Sequence, residues 1–472
     1  MKKFRFVVIG GGAAGIVTAM GAAGMGFSVA LIEKNRIGGE CSWTGCVPSK
    51  ALLSAAKEAR RIGRSSDWGL ELGGIVDTAK VMGKVRELTQ LTADRAQTKS
   101  LLENSGVEIF FGTPRFLSAN EVEVNGETLH GRDIIIATGS SPVRPSDIGL
   151  EKVKYYTNQE IFSLDTIPPS LAIIGGGPIG IEMAQAFSRL GSRVVVFQSG
   201  PRILPKDDAE LAGQLAGILR GEGVEIKLNI KVKDVAETSR SIAVNALEAD
   251  GSMTETTVSA LLVAAGRQPN VEGLGLEGIG VDYNSRGIKV NEYLQTTVPH
   301  IWACGDSNGK YQFSHIAEVE ARLTLQNMLL PIKRKVDYFG APWTTFTDPE
   351  LSHVGLTEQE AIAQGLRHRV YRQQLAHIDR AIEEQEDKGL IKIIAGDGGK
   401  ILGASVLATN SAEMVNEILV HRQAGFGLDK VSSLPHVYPS WGYGLQRAAD
   451  PWLVDLGKKW FVRFGLEILR KL

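Results

Sequence analysis

The sequence predicts an α/β chain built on two doubly wound βαβ units followed by an α+β domain, and three observations carry that expectation. The first is an internal echo: FRFVVIGGGAAG at the start returns as SLAIIGGGPIG in mid-chain, each an apolar strand running into a glycine-rich turn and a helix. The second is a shared span. Glu33 lies 23 residues after Gly10 and Gln198 lies 23 after Gly175, so the strands SVALIEK and RVVVFQ end at equivalent points. The third is the C-terminal third, where LIKIIAG and ILGASVLATN read as strands beside the helix-like SAEMVNEILVHRQAG.

At 472 residues the chain is long enough for about three domains. Turn-forming stretches place the divisions: SSPVRPSDIG, PRILPKDD, GRQPN and the region after Pro331. Residues 1–145 and 271–338 are expected to form one discontinuous domain, with 146–270 inserted as a second. Residues 339–455 form a third, and 456–472 a tail.

Composition excludes several classes. Hydrophobic residues at 43% and charged residues at 22% describe a globular chain, and 54 glycines imply many tight turns. A net charge of −1 gives no general attraction for nucleic acid, so no nucleic-acid partner is expected. Three cysteines cannot staple a chain of this length as a secreted scaffold, which points to a reducing cytoplasm. Residues 6–32 carry no charge and could pass for a signal or membrane segment, but seven of these 27 residues are glycine and break the run into strand, turn, helix and strand.

The glycines have a specific job in such a turn. In Gly10, Gly12 and Gly15, and again in Gly175, Gly177 and Gly180, the first makes the turn and the second lets backbone approach a pyrophosphate. The third lets helix pack on strand, with phosphates at the helix N-terminus. One such match is weak. Two, each in strand–turn–helix context, predict two Rossmann-like dinucleotide-binding domains. A carboxylate such as Glu33 at the end of the strand suits an adenosine ribose; Gln198, being neutral, bonds a ribose hydroxyl without excluding a 2′-phosphate, and Arg193 and Arg202 are the nearest cations.

Cys41 and Cys46 lie just before a helix that Pro48 is placed to begin, in GGECSWTGCVPSKALLSAAKEA. A helix N-terminus lowers a thiol pKa, and the thiolate is the reactive form. The ordinary alternative is an inert pair. Zinc fits less well, because it needs about four ligands, Cys304 is distant and no histidine precedes His130.

These motifs occur in a recognisable order: the fingerprint at 10–15, CSWTGCVPSK at 41–50, IIIATGSSP at 134–142, GGGPIGIE at 175–182, AAGRQPN at 264–270, ACGD at 303–306 and FTDPELSHVG at 346–355. The chain thereby resembles, over nearly its whole length, the pyridine nucleotide-disulfide oxidoreductases, which include dihydrolipoamide dehydrogenase, glutathione reductase and mercuric reductase. GGECSWTGC, YQFSHIAEVEA, PWTTFTDPE and HIDRA make it most similar to the mercuric-reductase-like group.

The resemblance implies an FAD domain, an NAD(P) domain and a C-terminal α+β dimerisation domain, with FAD and NADH or NADPH as cofactors. It implies that Gly10, Gly12, Gly15 and Glu33 hold the ADP half of FAD, and that Thr138, Gly139, Gly305 and Asp306 approach its phosphate and ribityl chain. Gly39, Ala317 and Gly266 join the cofactor-binding set, as do Gly175, Gly177, Gly180 and Gln198 for the nicotinamide nucleotide. Cys46 would be the flavin-facing thiol, Cys41 the interchange thiol, and Lys50, paired with Glu182, a positive charge near the flavin. Cys304 matches a position that the family fills with small residues, so a buried structural role is expected.

One segment departs from the pattern. Where lipoamide dehydrogenase and glutathione reductase offer a His–Glu couple from the partner subunit, LPHVYPSWGYG places Tyr438 at the base position and Tyr443 at its orienting partner. A tyrosine pKa of about 10 lies some 3 units above a useful base, a mismatch of about 4 kcal/mol at neutral pH. His436 is a weak substitute two residues away. The Tyr438–Pro439 bond is expected to be cis, like the family's His-Pro. Mercuric reductase also offers tyrosine here, since a soft metal needs thiolates and no leaving-thiol acid. It also relays metal through a C-terminal cysteine pair, whereas the tail GKKWFVRFGLEILRKL has no cysteine, and no N-terminal metal-binding domain is read in this chain.

The favoured expectation is therefore a homodimeric FAD-dependent NAD(P)H oxidoreductase with a redox-active Cys41–Cys46 pair acting on a soft metal ion or small disulfide. A lipoamide or glutathione-type reductase with altered acid–base chemistry is the second reading, and a flavin-bound redox or metal sensor the third. The tail, with Trp460, Phe461 and Phe464 among Lys458, Lys459 and Arg463, is expected to be an amphipathic helix docked on its own domain or a partner chain, with weak membrane-surface contact as the alternative.

Overall fold

β1 (Lys2–Ile9) shows why the N-terminal run is a sheet core and not a membrane span. Its side chains alternate: Phe6 and Val8 pack on one face with Ala14, Ala19 and Ala22 of α1 (Ala13–Gly24). Val7 and Ile9 pack on the other face with Ile134 and Ile301. Both faces are covered, as expected of a parallel sheet. β1 pairs in parallel with β2 (Val29–Glu33) on one side and with Glu127–Ile136 on the other.

In this computed structural model, which describes residues 1–238, 241–458 and 468–470, the chain forms two compact units. The first comprises residues 1–171, 234–244 and 257–336, and the second 172–233, 245–256 and 337–472. The first unit is organised by a seven-stranded sheet. Its order is Val107–Phe111, β2, β1, Glu127–Ile136, Glu121–Val124, Pro114–Ser118, with Ile301–Ala303 also pairing to Glu127–Ile136. After β2 come two helices the motif only partly announces, α2 (Gly39–Trp43) and α3 (Cys46–Gly63). α3 starts at Cys46, two residues before Pro48, which sits inside the first turn where its missing N–H breaks no helical bond.

The second unit repeats the echo. Helix Pro178–Arg189 follows the second glycine turn, and strands Arg193–Gln198 and Glu225–Leu228 run parallel. The same unit holds the C-terminal five-stranded antiparallel sheet, in the order Trp343–Thr345, Glu350–Gly355, Ile401–Ala408, Leu390–Ala395, Arg369–Gln374. Helices Ser411–Gln423 and Tyr443–Gly457 cover it over a core that includes Ile391, Ile393, Val406, Ile418 and Leu445. The predicted α/β architecture with a C-terminal α+β domain is the one observed.

A charge cluster is enclosed in this unit. The ammonium of Lys392, 1% exposed, meets Asp208 at 2.9 Å, Glu210 at 3.0 Å and Glu358 at 2.6 Å. Asp208 also caps helix Ala209–Gly221, accepting the Glu210 N–H at 3.0 Å. Breaking a buried pair of this kind costs about 3–5 kcal/mol, because a charge is left without compensation. Among the described residues no helix is long and apolar enough to cross a membrane. The amphipathic-tail expectation rests mainly on residues 459–467, outside the described residues.

Asp207, beside the cluster, accepts the Trp343 indole N–H at 2.9 Å, and burial pushes its carboxyl up to about 6. A carboxyl raised on folding favours the neutral acid. Its contribution to stability is full below the unfolded value of about 3.9 and is lost as pH rises through about 6. Asp207→Asn is therefore expected to raise the holoenzyme's unfolding midpoint by a few degrees at pH 7.5 and by less at pH 5. Calorimetry at the two pH values checks the difference, and an equal effect at both would remove ionisation as its cause.

Candidate active site

The turn between β1 and α1 is shaped to admit an anion. Gly12 caps α1 with no side-chain hydrogen bond, which leaves the first helical N–H groups open. A Cβ on Gly15 would lie 1.8 Å from the carbonyl oxygen of Gly10, and the second unit repeats this with Gly180 2.0 Å from that of Gly175. Only glycine lets helix and strand approach so closely. A Cβ on Gly39 would likewise lie 2.8 Å from the Cα of Gly12, so that α2 begins against the turn.

Glu33, buried at the end of β2, accepts the Gly11 N–H at 2.7 Å and the Asn35 N–H at 2.7 Å. Thr138 and Gly139 are zipped to Asn270, with Thr138 Oγ1 donating to its carbonyl at 2.6 Å and Asn270 Nδ2 returning a bond at 2.9 Å. Gly305 donates its N–H to the buried carboxylate of Glu320 at 2.6 Å, and Ala317 lies against Gly305. Asp306 accepts the Ser140 hydroxyl at 2.5 Å, and burial raises its pKa. An open helix end for phosphates and a fixed carboxylate for a ribose fit FAD.

The two cysteines come from different helices. Cys41 lies in α2, and Cys46 opens α3 directly after Gly45. Both are free thiols, with the Ser314 hydroxyl 3.9 Å from the Cys46 sulfur. The thiol–thiol hydrogen bond lowers Cys41 to about 6, and Ser314 and Lys50, four residues along α3 from Cys46, favour the anion further. The same bond pushes Cys46 up, so the pair gives up one proton near neutrality and retains the other. Lys50 belongs to the first unit and Glu182 to the second. The buried Glu182 carboxylate accepts the Phe346 N–H at 2.9 Å.

In the second fingerprint Gln198 copies Glu33: its Oε1 accepts the Gly176 N–H at 2.9 Å, which turns the Nε2 donor toward Gly200. Gly177 caps its helix without a side-chain bond. The two cations singled out from sequence are not equivalent. Arg193 begins the strand that Gln198 ends, ~16 Å away at strand rise. Arg202 spends Nη1 on the Asp207 carbonyl at 2.6 Å and Nη2 on the Pro205 carbonyl at 2.7 Å. Gly266, in the first unit, accepts the Val143 N–H at 3.0 Å.

The C-terminal segment brings Tyr438 and Tyr443 together edge to face, with ring centroids 5.5 Å apart. Tyr438 donates its hydroxyl to Asp379 at 2.6 Å, which raises its pKa above the usual tyrosine value. The Tyr438–Pro439 bond is cis, as expected. His436 points elsewhere. Its Nδ1 faces the Leu434 carbonyl at 3.0 Å and its Nε2 the Glu417 carboxylate at 2.8 Å, so neither ring nitrogen is free to serve a thiol. Residues 434–442 are irregular and lead into the helix that starts at Tyr443.

Four residues of evident weight went unassigned in the sequence: Asp379, Glu417, Glu40 and Arg267. Asp379 lay in HIDRA and Arg267 in GRQPN, stretches whose marks were visible while their partners, 59 and 227 positions away, were not.

Two dinucleotide cradles and a hydrogen-bonded dithiol on one chain define a flavin-dependent dithiol–disulfide oxidoreductase. Comparisons with known proteins agree. Residues 4–321 match the pyridine nucleotide-disulphide oxidoreductase family, and residues 341–449 match the dimerisation domain of that family. The chain is 34% identical to a mercuric reductase of Streptomyces lividans, over 96% of this chain and 97% of the relative. It is 33% identical to a dihydrolipoyl dehydrogenase of Thermus scotoductus, over 95% and 97%. The HOCl-induced flavoprotein disulfide reductase RclA from Escherichia coli, solved as a Cu(II) complex, superposes with a TM-score of 0.86 at 30% identity, covering 95% of this chain and 99% of that one. The chain belongs to the pyridine nucleotide-disulphide oxidoreductase family. It is a flavoprotein NAD(P)H-dependent disulfide oxidoreductase that uses FAD.

The shared proton has a measurable consequence. In dithiothreitol-reduced holoenzyme, alkylation of Cys41 by iodoacetamide is expected to rise with a midpoint near pH 6. In Cys46→Ala the midpoint is expected to move up toward the ordinary thiol value of about 8.5. Peptide mass spectrometry reads the site, and an unmoved midpoint would discard the hydrogen bond as the cause.

Proposed function

We propose that this enzyme reduces a soft metal ion of the Hg(II) or Cu(II) kind, held as substrate by Cys41 and Cys46. The observation that carries this reading is the commitment of the Tyr438 hydroxyl to Asp379 at 2.6 Å. With that proton donated to a carboxylate, and both His436 ring nitrogens engaged by the Leu434 carbonyl and Glu417, the segment offers no base free to serve a thiol. A disulfide substrate with a poor leaving thiol needs such a group to protonate the departing sulfur; a metal ion needs only two thiolates. Two relatives point the same way, one named mercuric reductase and one solved with Cu(II).

Bound FAD supplies the two-electron relay between NAD(P)H and the cysteine pair. Cys46, at the N-terminus of α3, is the thiol we place toward the flavin, with Lys50, one turn further along the same helix, as the positive charge beside it. Cys41, whose anion is favoured at neutral pH, is the thiol we place toward substrate. The two sulfurs lose their protons to solvent on ligating the ion. Two electrons from one NAD(P)H then reduce one Hg(II) to the metal or two Cu(II) to Cu(I), releasing NAD(P)⁺ and one proton.

We further assign the working form to a homodimer in a reducing compartment, with Tyr438 and Tyr443 of one subunit serving the cysteines of the other. The dimerisation-domain match supports the homodimer. So does the exposure of Val437 at 79% and Tyr438 at 61%, which is high for an apolar side chain and a tyrosine in an ordered segment.

A small disulfide is the second reading, favoured by the Cys41 value of about 6. Such a thiolate attacks without a base, so aromatic disulfides, whose thiols leave readily, would turn over where lipoamide does not. For the nucleotide, the outward Nε2 of Gln198 neither repels nor clamps a 2′-phosphate, and we expect both coenzymes to serve.

The deciding measurement is NAD(P)H oxidation with Hg(II), Cu(II), an aromatic disulfide, lipoamide and glutathione disulfide. Metal-dependent turnover that Tyr438→Phe changes by less than about threefold is expected, since a phenol held above the ordinary tyrosine pKa by Asp379 is no base at neutral pH. Fast lipoamide or glutathione turnover without metal reduction would overturn the proposal. Gln198→Glu is expected to lower kcat/KM for NADPH relative to NADH by about tenfold through like-charge repulsion, roughly 1.4 kcal/mol. An unchanged ratio would place the discriminating contact elsewhere.

A further inference from the structure

α2, which carries Cys41, has little to hold it by packing. It is five residues long, none of them is buried, and no side chain caps it. It is gripped by polar contacts at both ends instead. At its start, Glu40 accepts from the guanidinium of Arg267 at 2.5 Å, from Asn158 Nδ2 at 3.3 Å and from Gln159 Nε2. At its end, the Thr44 carbonyl accepts from the same Asn158 Nδ2 at 3.1 Å.

Arg267 is itself anchored. Its strand, Arg267–Pro269, pairs with Ser140–Pro142, its Nε donates to Ser140 Oγ at 2.7 Å, and its Nη2 donates to the Ser140 carbonyl at 2.8 Å. The Ser140 hydroxyl passes its own proton to Asp306 at 2.5 Å. One guanidinium, whose planar fork fixes direction as well as distance, thus joins the residue before Cys41 to the Ser140–Asp306 corner of the flavin cradle. The side chains of Arg267 and Glu40 are only 17% and 27% exposed, so water competes weakly.

We infer that Glu40 and Arg267 are positioning residues that hold Cys41 within bonding reach of Cys46 and so set how readily the pair closes to a disulfide. Closure removes two electrons and two protons from the dithiol and forms one S–S bond; the acceptor is oxidised flavin in the enzyme or a disulfide buffer in the test. A disulfide tolerates only a narrow range of Cα separations. A loosened α2 therefore disfavours the closed form while leaving the open dithiol almost unaffected. The inference rests on Cys41 and Cys46 being the redox pair and holds whichever acceptor the enzyme serves.

The experiment equilibrates holoenzyme with dithiothreitol or glutathione redox buffers and counts alkylated Cys41 and Cys46 by mass, which needs no turnover. Glu40→Ala is expected to make closure about tenfold less favourable, raising the midpoint potential by about 30 mV for a two-electron couple. Glu40→Gln keeps an oxygen for Arg267 and is expected to recover at least half of that shift. Arg267→Lys, which keeps charge and loses the fork, is expected to follow Glu40→Ala, and the double variant Glu40→Ala/Arg267→Lys to add nothing further. A wild-type potential in Glu40→Ala with FAD retained would overturn the inference. So would Glu40→Gln matching Glu40→Ala, which would make charge and not position the cause. If Glu40→Ala loses FAD, the Glu40→Gln and Arg267→Lys pair decides by the same criterion.

Discussion

The coupling of the Cys41 and Cys46 thiols, which lowers one pKa and raises the other, is the constraint around which this part of the structure is arranged. A single proton shared by two sulfurs gives one thiolate near neutral pH, where two separate thiols of ordinary pKa would give almost none. Holding the two sulfurs together requires the five-residue α2 and the 18-residue α3 to present their ends to each other. α3 is anchored by Leu52 and Ala56 in the core, while α2 is held by Glu40, which accepts from Arg267, Asn158 and Gln159, and by the Trp43 indole, which donates to the Ile37 carbonyl at 2.9 Å. The chemical centre thus rests on one element held by packing and one held by polar bonds, and the second is the more open to tuning.

The two dinucleotide turns use the same mechanical device with different chemistry. In each, the residue ending the second strand reaches back to bind the N–H of the middle glycine, Glu33 to Gly11 and Gln198 to Gly176. The bond pins the turn and leaves the remaining polar face of the side chain for the nucleotide. Glu33 leaves carboxylate lone pairs of the kind that suit a ribose hydroxyl. Gln198 leaves an amide donor, which does not discriminate against phosphate.

The C-terminal segment shows the opposite economy. Tyr438 occupies the place of a base, yet its hydroxyl is spent on Asp379, and the nearby imidazole of His436 is spent on Glu417. These bonds make the segment rigid and chemically quiet on the protein's own account. On the proposed reading a soft ion needs only the dithiol, while protonation of a poor leaving thiol is left to solvent.

The architecture was legible because its signals are local: glycine spacing, strand alternation and the Cys-x4-Cys segment each report on neighbours within about 25 residues. The start of α3, the helix over 411–423 and the strands over 390–395 and 401–408 follow from periodicity and turn chemistry that the chain carries at those positions. Glu40 and Asp379 were unreadable for the opposite reason. A carboxylate in a sequence has no visible partner, and theirs lie 227 and 59 residues away. By itself the sequence determined the fold class and both cofactors. Only the tertiary structure decided which side chains hold Cys41 in place and which oxygens occupy Tyr438 and His436, because those are long-range hydrogen bonds, set by how strands and helices are brought together and not by residue type.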